Sequence, residues 1–161
     1  KVGHAHFALR MAVREVDLII NNGLSKEDFE ATRTFLRSYT KLYVQTPNEQ
    51  LGYLMDSKFY GRKDFITEVD KELAKLTVKD VNAAVKKYWR TNNMFVTIVT
   101  DRSEADELAK SLKENTLSPM AYSDAVKAGL PKSVLAEDDI VAAYKLNVKN
   151  VVIVDSKDTF K

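Results

Sequence analysis

The 161-residue sequence has no cysteine, three prolines, five glycines, two histidines and one tryptophan. Without cysteine, neither a disulfide framework nor a thiolate metal site can form, and cysteine usage leaves the compartment open. Glycine is sparse and forms no phosphate-cradling loop. No apolar run approaches the ~20 residues of a membrane span, and no signal-peptide pattern is visible. Neither sign of charge prevails, with 25 Lys and Arg against 23 Asp and Glu and a net charge of +2. That balance supplies no broad basic field for nucleic acid or acidic membranes. Ser, His and acidic residues give no assembled triad signal, and no internal repeat or low-complexity segment is present.

What is present is helical punctuation. A hydrophobic fraction of 45% and a charged fraction of 30% fit a globular chain of one domain or two small ones. Ala5, Leu9, Ala12, Val13, Val16 and Ile20 share one helical stripe, with Arg10, Arg14 and Asp17 largely off it. Gly23 closes that helix, since glycine tolerates the left-handed conformation of a C-cap. Ser25 caps the next, with Leu24 and Phe29 as a hydrophobic staple and Phe29, Leu36, Tyr39 and Tyr43 directed inward. Thr46, Pro47 and Glu49 form a capping box with proline at the first helical position. Leu51, Leu54, Met55 and Phe59 then make a buried face, and Gly61 ends the helix. A short helix follows around residues 66–75.

Thr77 opens the next helix, whose buried face is Val78, Val81, Val85, Tyr88 and Trp89. Asn92 and Asn93 turn the chain into residues 94–100, an apolar run expected to form a strand. Ser103 is expected to cap a further helix with Leu108 and Leu112 inward. Past Asn115 a tail broken by Pro119, Gly129 and Pro131 carries one short helix near residues 137–143 and a second strand at residues 151–154. A strand needs a neighbour, and one or two cannot make a sheet. The sheet partners are therefore expected outside this stretch. The chain opens at Lys1 within an amphipathic pattern, as expected of a processed product or a cut piece.

Two stretches, "GLSKEDFEATRTFLRSYTKLYVQTPNEQLGYLMDSKFYG" and "LAKLTVKDVNAAVKKYWRTNNMFVTIVTD", resemble the C-terminal half of a homology domain in the M16 metallopeptidases, the insulinase, pitrilysin and processing-peptidase family. The order and spacing of segments carry the resemblance, over roughly residues 16–100. The stretch "SPMAYSDAVKAGLPKSVLAEDDIVAAYKLNVKNVVIV" is similar to tails of bacterial zinc proteases of that family. The resemblance implies an α+β fold with helices packed on one face of a mainly antiparallel sheet, the LuxS/MPP-like metallohydrolase fold, present here as an incomplete domain. Residues 1–115 would be its later half and residues 116–161 the C-terminal tail. The implied function is a non-catalytic portion of a zinc metalloendopeptidase, forming part of its peptide-binding chamber. The alternative is an inactive partner or scaffold subunit, or a helical interaction module. Implied partners are the remainder of the same protein or a homologous domain, and unfolded peptides. The compartment stays open, the periplasm being admitted by the family.

The family's zinc motif, H-x-x-E-H, needs two histidines four residues apart on one helical face with a glutamate as general base. His4 and His6 diverge by about 200° on a helix and cannot share a metal there. They are expected to be surface residues near a terminus. No cofactor is expected in this chain, zinc belonging to the intact enzyme or a partner domain, and no catalytic, substrate-binding or metal residue is assigned. The family's zinc-free domain also supplies an Arg and a Tyr to the substrate, but ahead of the matched region. Arg37 and Tyr39 are therefore read as a solvated Arg and a core Tyr. The aromatic zone of Tyr39, Tyr43, Tyr53, Phe59 and Tyr60 could line a peptide-binding wall, although its helical spacing favours core. Lys86 and Lys87 beside Tyr88 and Trp89 read as a helix end packed on a sheet rather than a nucleic-acid patch. Glu137, Asp138 and Asp139 read as acids favoured at a helix start by its dipole rather than as a cation site.

Overall fold

A computed structural model describes residues 4–159; Lys1, where the expected domain begins, and Phe160 and Lys161, which end the expected tail, lie outside the described residues. Eight α-helices follow in order: α1 Ala5–Asn22, α2 Lys26–Tyr39, α3 Pro47–Phe59, α4 Phe65–Lys75, α5 Val78–Tyr88, α6 Arg102–Glu114, α7 Asp124–Gly129 and α8 Lys132–Ala143. Short 3-10 turns cover Thr40–Val44 and Ser156–Asp158. The chain divides into two compact units, residues 19–89 and residues 4–18 with 90–159, the divisions falling inside α1 and just after α5.

The helix boundaries follow the side-chain chemistry. Ser25 Oγ accepts from the Asp28 amide at 3.0 Å. Thr46 and Thr77 each close a reciprocal capping box, with Glu49 and Asp80, and Pro47 stands at the start of α3. Each such cap stabilises its helix by about 1 kcal/mol. Gly23 takes φ 74°, as its expected C-cap role requires. A Cβ there would meet Asn82 Nδ2 at 2.6 Å. Asn82, on α5, clamps that turn. Its Oδ1 accepts from the Leu24 amide at 2.8 Å, and its Nδ2 donates to the Leu24 carbonyl at 3.1 Å. Ser103 is not the cap of α6. Asp101 takes that place, accepting from the Ser103 amide at 2.9 Å and from its hydroxyl at 2.6 Å. Pro131 starts α8 earlier than expected, so Glu137, Asp138 and Asp139 stand in mid-helix, away from the dipole end.

The expected α+β fold, helices on a mainly antiparallel sheet, is overturned: the described residues are all helical outside turns and extended segments, and contain no strand. Residues 94–100 and 151–154 do not pair, and no backbone hydrogen bond joins either segment to another described residue. Both keep a two-residue alternation. Phe95 is fully exposed and Val99 is 94% exposed, while Met94, Val96 and Ile98 are partly covered. Val152 and Val154 are the barer residues of the second segment, Ile153 the more covered. A ladder needs a neighbouring extended backbone, and the helices of the unit offer none. The Arg102 Nε to Asp155 Oδ1 pair, 3.5 Å apart on the surface, brings the C-terminal ends of the two segments together.

The unit of residues 4–18 and 90–159 has its core where α1 meets α8. Phe7, Val141 and Ala142 are buried together with Met120 against them. Leu112, Ala109 and Leu146 are buried in the same unit. The face of α1 that turns inward carries His6, Phe7 and Arg10 rather than the apolar stripe alone. The unit of residues 19–89 buries little. Phe29 and Val85 are covered, but Leu36, Leu51, Leu54, Met55, Phe59, Tyr88 and Trp89, all expected inside, are exposed.

Candidate functional site

Two polar or aromatic constellations stand out, one in each unit. The first is a buried polar network around α1. Arg10 is 1% exposed and His6 4%. Arg10 Nη1 donates to Ser118 Oγ at 2.9 Å and to the Ala142 carbonyl, and Nη2 reaches Asn115 Oδ1 at 3.5 Å. Asn115, left-handed at φ 52°, caps α6. Its amide group also bridges to Leu146, donating to the carbonyl at 2.5 Å and accepting from the amide at 2.9 Å. Arg10 is thus a buried cation held by neutral oxygens, with no carboxylate partner among the described residues. Removal from water lowers its pKa.

His6 shares a hydrogen bond of 2.7 Å between Nδ1 and Ser111 Oγ, while its buried Nε2 and Arg10 Nε have no partner among the described residues. Burial, and then the charge of Arg10, lower the His6 pKa. The expectation of surface histidines therefore fails at His6. Its position one helical turn from Arg10 carries it inside, where Ser111 meets it. These histidines do not suit zinc. The Nδ1 of His6 is engaged, a buried cation stands beside it, and no group of three His, Asp or Glu suited to a metal occurs among the described residues.

Beside this network Asp17 accepts from Thr91 Oγ1 at 2.5 Å and from the Tyr144 hydroxyl. Burial, with the hydrogen bond and charge of Asp17, pushes the Tyr144 pKa up to about 12. Arg14 pairs with Glu137 at 3.0 Å, and Asp138 accepts from Tyr122 at 2.7 Å. Glu137 and Asp138, two of the three acids expected to serve the helix dipole, are therefore tertiary anchors of α8.

The second constellation is a run of rings in the unit of residues 19–89. Phe35 stacks on Tyr39 with centroids 5.3 Å apart, and Tyr39 meets Tyr43 edge-on at 5.3 Å. Tyr43 lies 5.9 Å from Tyr53, and Tyr53 lies parallel to Phe65 at 6.4 Å. Phe35, Tyr39, Tyr43 and Phe65 are all exposed, which overturns the expectation that this zone is core. Phe59 and Tyr60, in edge contact at 5.0 Å, are 82% and 73% exposed. The helical spacing does bring the rings together, as the sequence implied, but leaves them partly in water. Arg37 is not merely solvated: its Nε donates to Asp70 Oδ1 at 2.8 Å and its Nη2 to Oδ2 at 3.3 Å, which lowers the Asp70 pKa.

Two clefts open in this unit. The larger, of about 520 Å³, runs along α4 between Arg62 and Asp80. Its charged groups are engaged with close neighbours: Arg62 with Glu68 at 3.2 Å, Lys75 with Glu72 at 3.1 Å, and Asp80 with Thr77. The smaller, of about 200 Å³, is lined by Tyr53, Asp56, Ser57, Tyr60, Arg62 and Phe65. Its floor is fixed by the buried Ser57. The Ser57 hydroxyl donates to the Tyr53 carbonyl at 2.6 Å and accepts from the Phe65 amide at 2.9 Å, and the Arg62 amide donates to the Ser57 carbonyl at 2.7 Å. Gly61, at φ 69°, allows this tight return from α3 to α4. Nothing in the residue order marks Ser57; a serine in a helical stretch carries no sign of such a role.

No helix among the described residues is long and apolar enough to cross a membrane. A scan against protein-family models finds no match, and neither do searches of curated proteins and of solved structures.

Proposed function

We propose that this chain is a non-catalytic, peptide-facing part of an M16-type zinc metallopeptidase assembly, contributing chamber wall rather than reacting groups. The observation that carries the reading is the exposed aromatic run from Phe35 through Tyr39, Tyr43 and Tyr53 to Phe65. A contiguous apolar patch of this kind marks a binding surface more often than idle exterior. Rings with hydroxyl rims suit unfolded polypeptide, whose side chains are apolar and whose backbone is polar. The resemblance in segment order supplies the family. The all-helical architecture does not contribute to the reading, and no step of hydrolysis is assigned to any residue here.

A second reading, a helical protein-interaction module unrelated to proteolysis, is favoured by one observation: residues 94–100 form no strand. One pair of measurements separates the two. The purified chain is titrated with a reduced, alkylated polypeptide that cannot fold, and with the same polypeptide in its folded, disulfide-bonded form. The chamber-wall reading expects the unfolded form to bind at least about tenfold tighter, and Tyr39→Ser with Tyr43→Ser to abolish the preference. Equal binding of both forms favours the module. Peptide cleavage by this chain supplied with zinc would overturn the non-catalytic assignment.

A further inference from the structure

The geometry points to the small cleft between α3 and α4 as a subsite for one cationic side chain, lysine or arginine, of an extended peptide. The inference rests on the peptide-facing reading above and names the residue type that this part of the wall selects.

Shape comes first. At about 200 Å³ the cleft lies below the size of sites for whole small-molecule ligands. It has room for a single side chain. Tyr53, Asp56 and Tyr60 stand at positions i, i+3 and i+7 of the α3 face and its C-cap, so two rings flank one carboxylate. Phe65 lies parallel to Tyr53 across the floor, positioned by the Ser57 hydroxyl. An aromatic face attracts a cation through the ring quadrupole, and the alkyl stem of lysine or arginine packs against ring surface.

Charge decides between a cationic and an apolar occupant. Asp56 is exposed, and its carboxylate makes no ion pair or hydrogen bond among the described residues. Every other charged group of the cleft is spoken for: Arg62 is the one other lining charge, and it pairs with Glu68. The cleft also displays the interaction it would use, since the Arg62 guanidinium carbon already sits 5.6 Å from the Phe65 ring centroid. With Arg62 balanced by Glu68, the charge left over is that of Asp56. A neutral aliphatic side chain would leave that carboxylate without a partner, whereas lysine or arginine supplies one.

The test uses the full 161-residue chain and three nine-residue Gly/Ser peptides, carrying at the centre arginine, the isosteric neutral citrulline, or norleucine. Binding is followed by the NMR ring resonances of Tyr53 and Phe65. The arginine peptide is expected to bind about fivefold tighter than the citrulline peptide, the scale of one partly exposed cation–ring contact with one surface charge pair. Asp56→Asn is expected to bring the two peptides level, and Tyr60→Leu to narrow the ratio. An arginine-to-citrulline ratio of one, a tighter norleucine peptide, or a ratio unchanged in Asp56→Asn overturns the subsite. Should the ratio be one while the unfolded polypeptide still binds, the subsite fails and the chamber-wall reading stands. Loss of unfolded-polypeptide binding itself removes the reading beneath it.

Discussion

The two units solve opposite problems. In the unit of residues 4–18 and 90–159 a small apolar centre is ringed by buried polar groups, with Arg10 and His6 inside it. In the unit of residues 19–89 helices with well-made caps leave most of their large apolar side chains in water. Burial and apolarity are therefore poorly matched in both, in opposite directions. A buried arginine without a counter-charge among the described residues is tolerated because Ser118, Asn115 and the Ala142 carbonyl take up its donors. Exposed rings are tolerated because caps, local turns and ring–ring contacts hold the helices without a covering layer. The first arrangement specifies one packing; the second presents a surface.

The contrast can be broken hardest at its apolar ends. Phe7→Ala, in the core against Val141 and Ala142, is expected to cost roughly 3–5 kcal/mol in chemical denaturation. Phe59→Ala, at an exposed ring, is expected to cost less than about 0.5 kcal/mol. Similar losses at the two sites would mean that the exposed face of α3 is covered after all.

Next in size is the polar interior. Arg10→Ala is expected to cost about 2–4 kcal/mol, because it empties a buried site and removes the guanidinium donors to half-buried Ser118 Oγ and to the Ala142 carbonyl, which keeps only the Ser118 amide at 3.2 Å. Arg10→Met should recover part of that loss by filling the space, and recovery to wild-type stability would show that the donor network is dispensable. Gly23→Ala is expected to cost about 1–3 kcal/mol, from left-handed strain and the approach to Asn82. An unchanged melting temperature would rule out the Asn82 clamp.

Two pH effects sharpen the comparison further, and both belong to the polar unit. The His6 pKa is lowered from 6.5 by burial and by Arg10, so the unfolded chain takes up a proton before the folded one does. Stability conferred by neutral His6 is complete above pH 6.5 and is lost as pH falls below it. His6→Gln should flatten that acid limb; a limb of unchanged slope would place its origin in other groups. Tyr144 moves the other way, raised to about 12. Its contribution is complete below pH 10 and is lost as pH rises from 10 towards 12. Tyr144→Phe should remove that alkaline step, measured by the stability difference between pH 9 and pH 11.

Caps and turns were legible in the sequence because they are local. Ser25, Thr46, Thr77 and Gly23 act within a few residues of themselves, and each does what its side chain or its lack of one dictates. The faces of helices were legible only as periodicity. The stripe of Leu51, Leu54, Met55 and Phe59 reads as buried because helices usually hide such stripes, yet each of the four is half exposed or more. Conversely His6 and Arg10, polar and near one end of the sequence, carried no sign of burial. Their partners Ser111, Asn115 and Ser118 lie more than a hundred residues away. The aromatic zone was visible as a cluster, but its exposure, the Ser57 floor and the unpaired Asp56 were not.

Residue order by itself determined where α1 stops and where α2, α3 and α5 start, since a cap, a positive-φ glycine and a first-turn proline are settled by bonds spanning three or four positions; it did not place the starts of α6 and α8. It also determined that residues 94–100 are extended and apolar. Only the tertiary structure decided that no strand among the described residues lies beside them, which polar groups go inside, and which rings stay in water. Those outcomes depend on what other parts of the chain bring within hydrogen-bonding or van der Waals reach, and separation along the sequence does not encode that proximity.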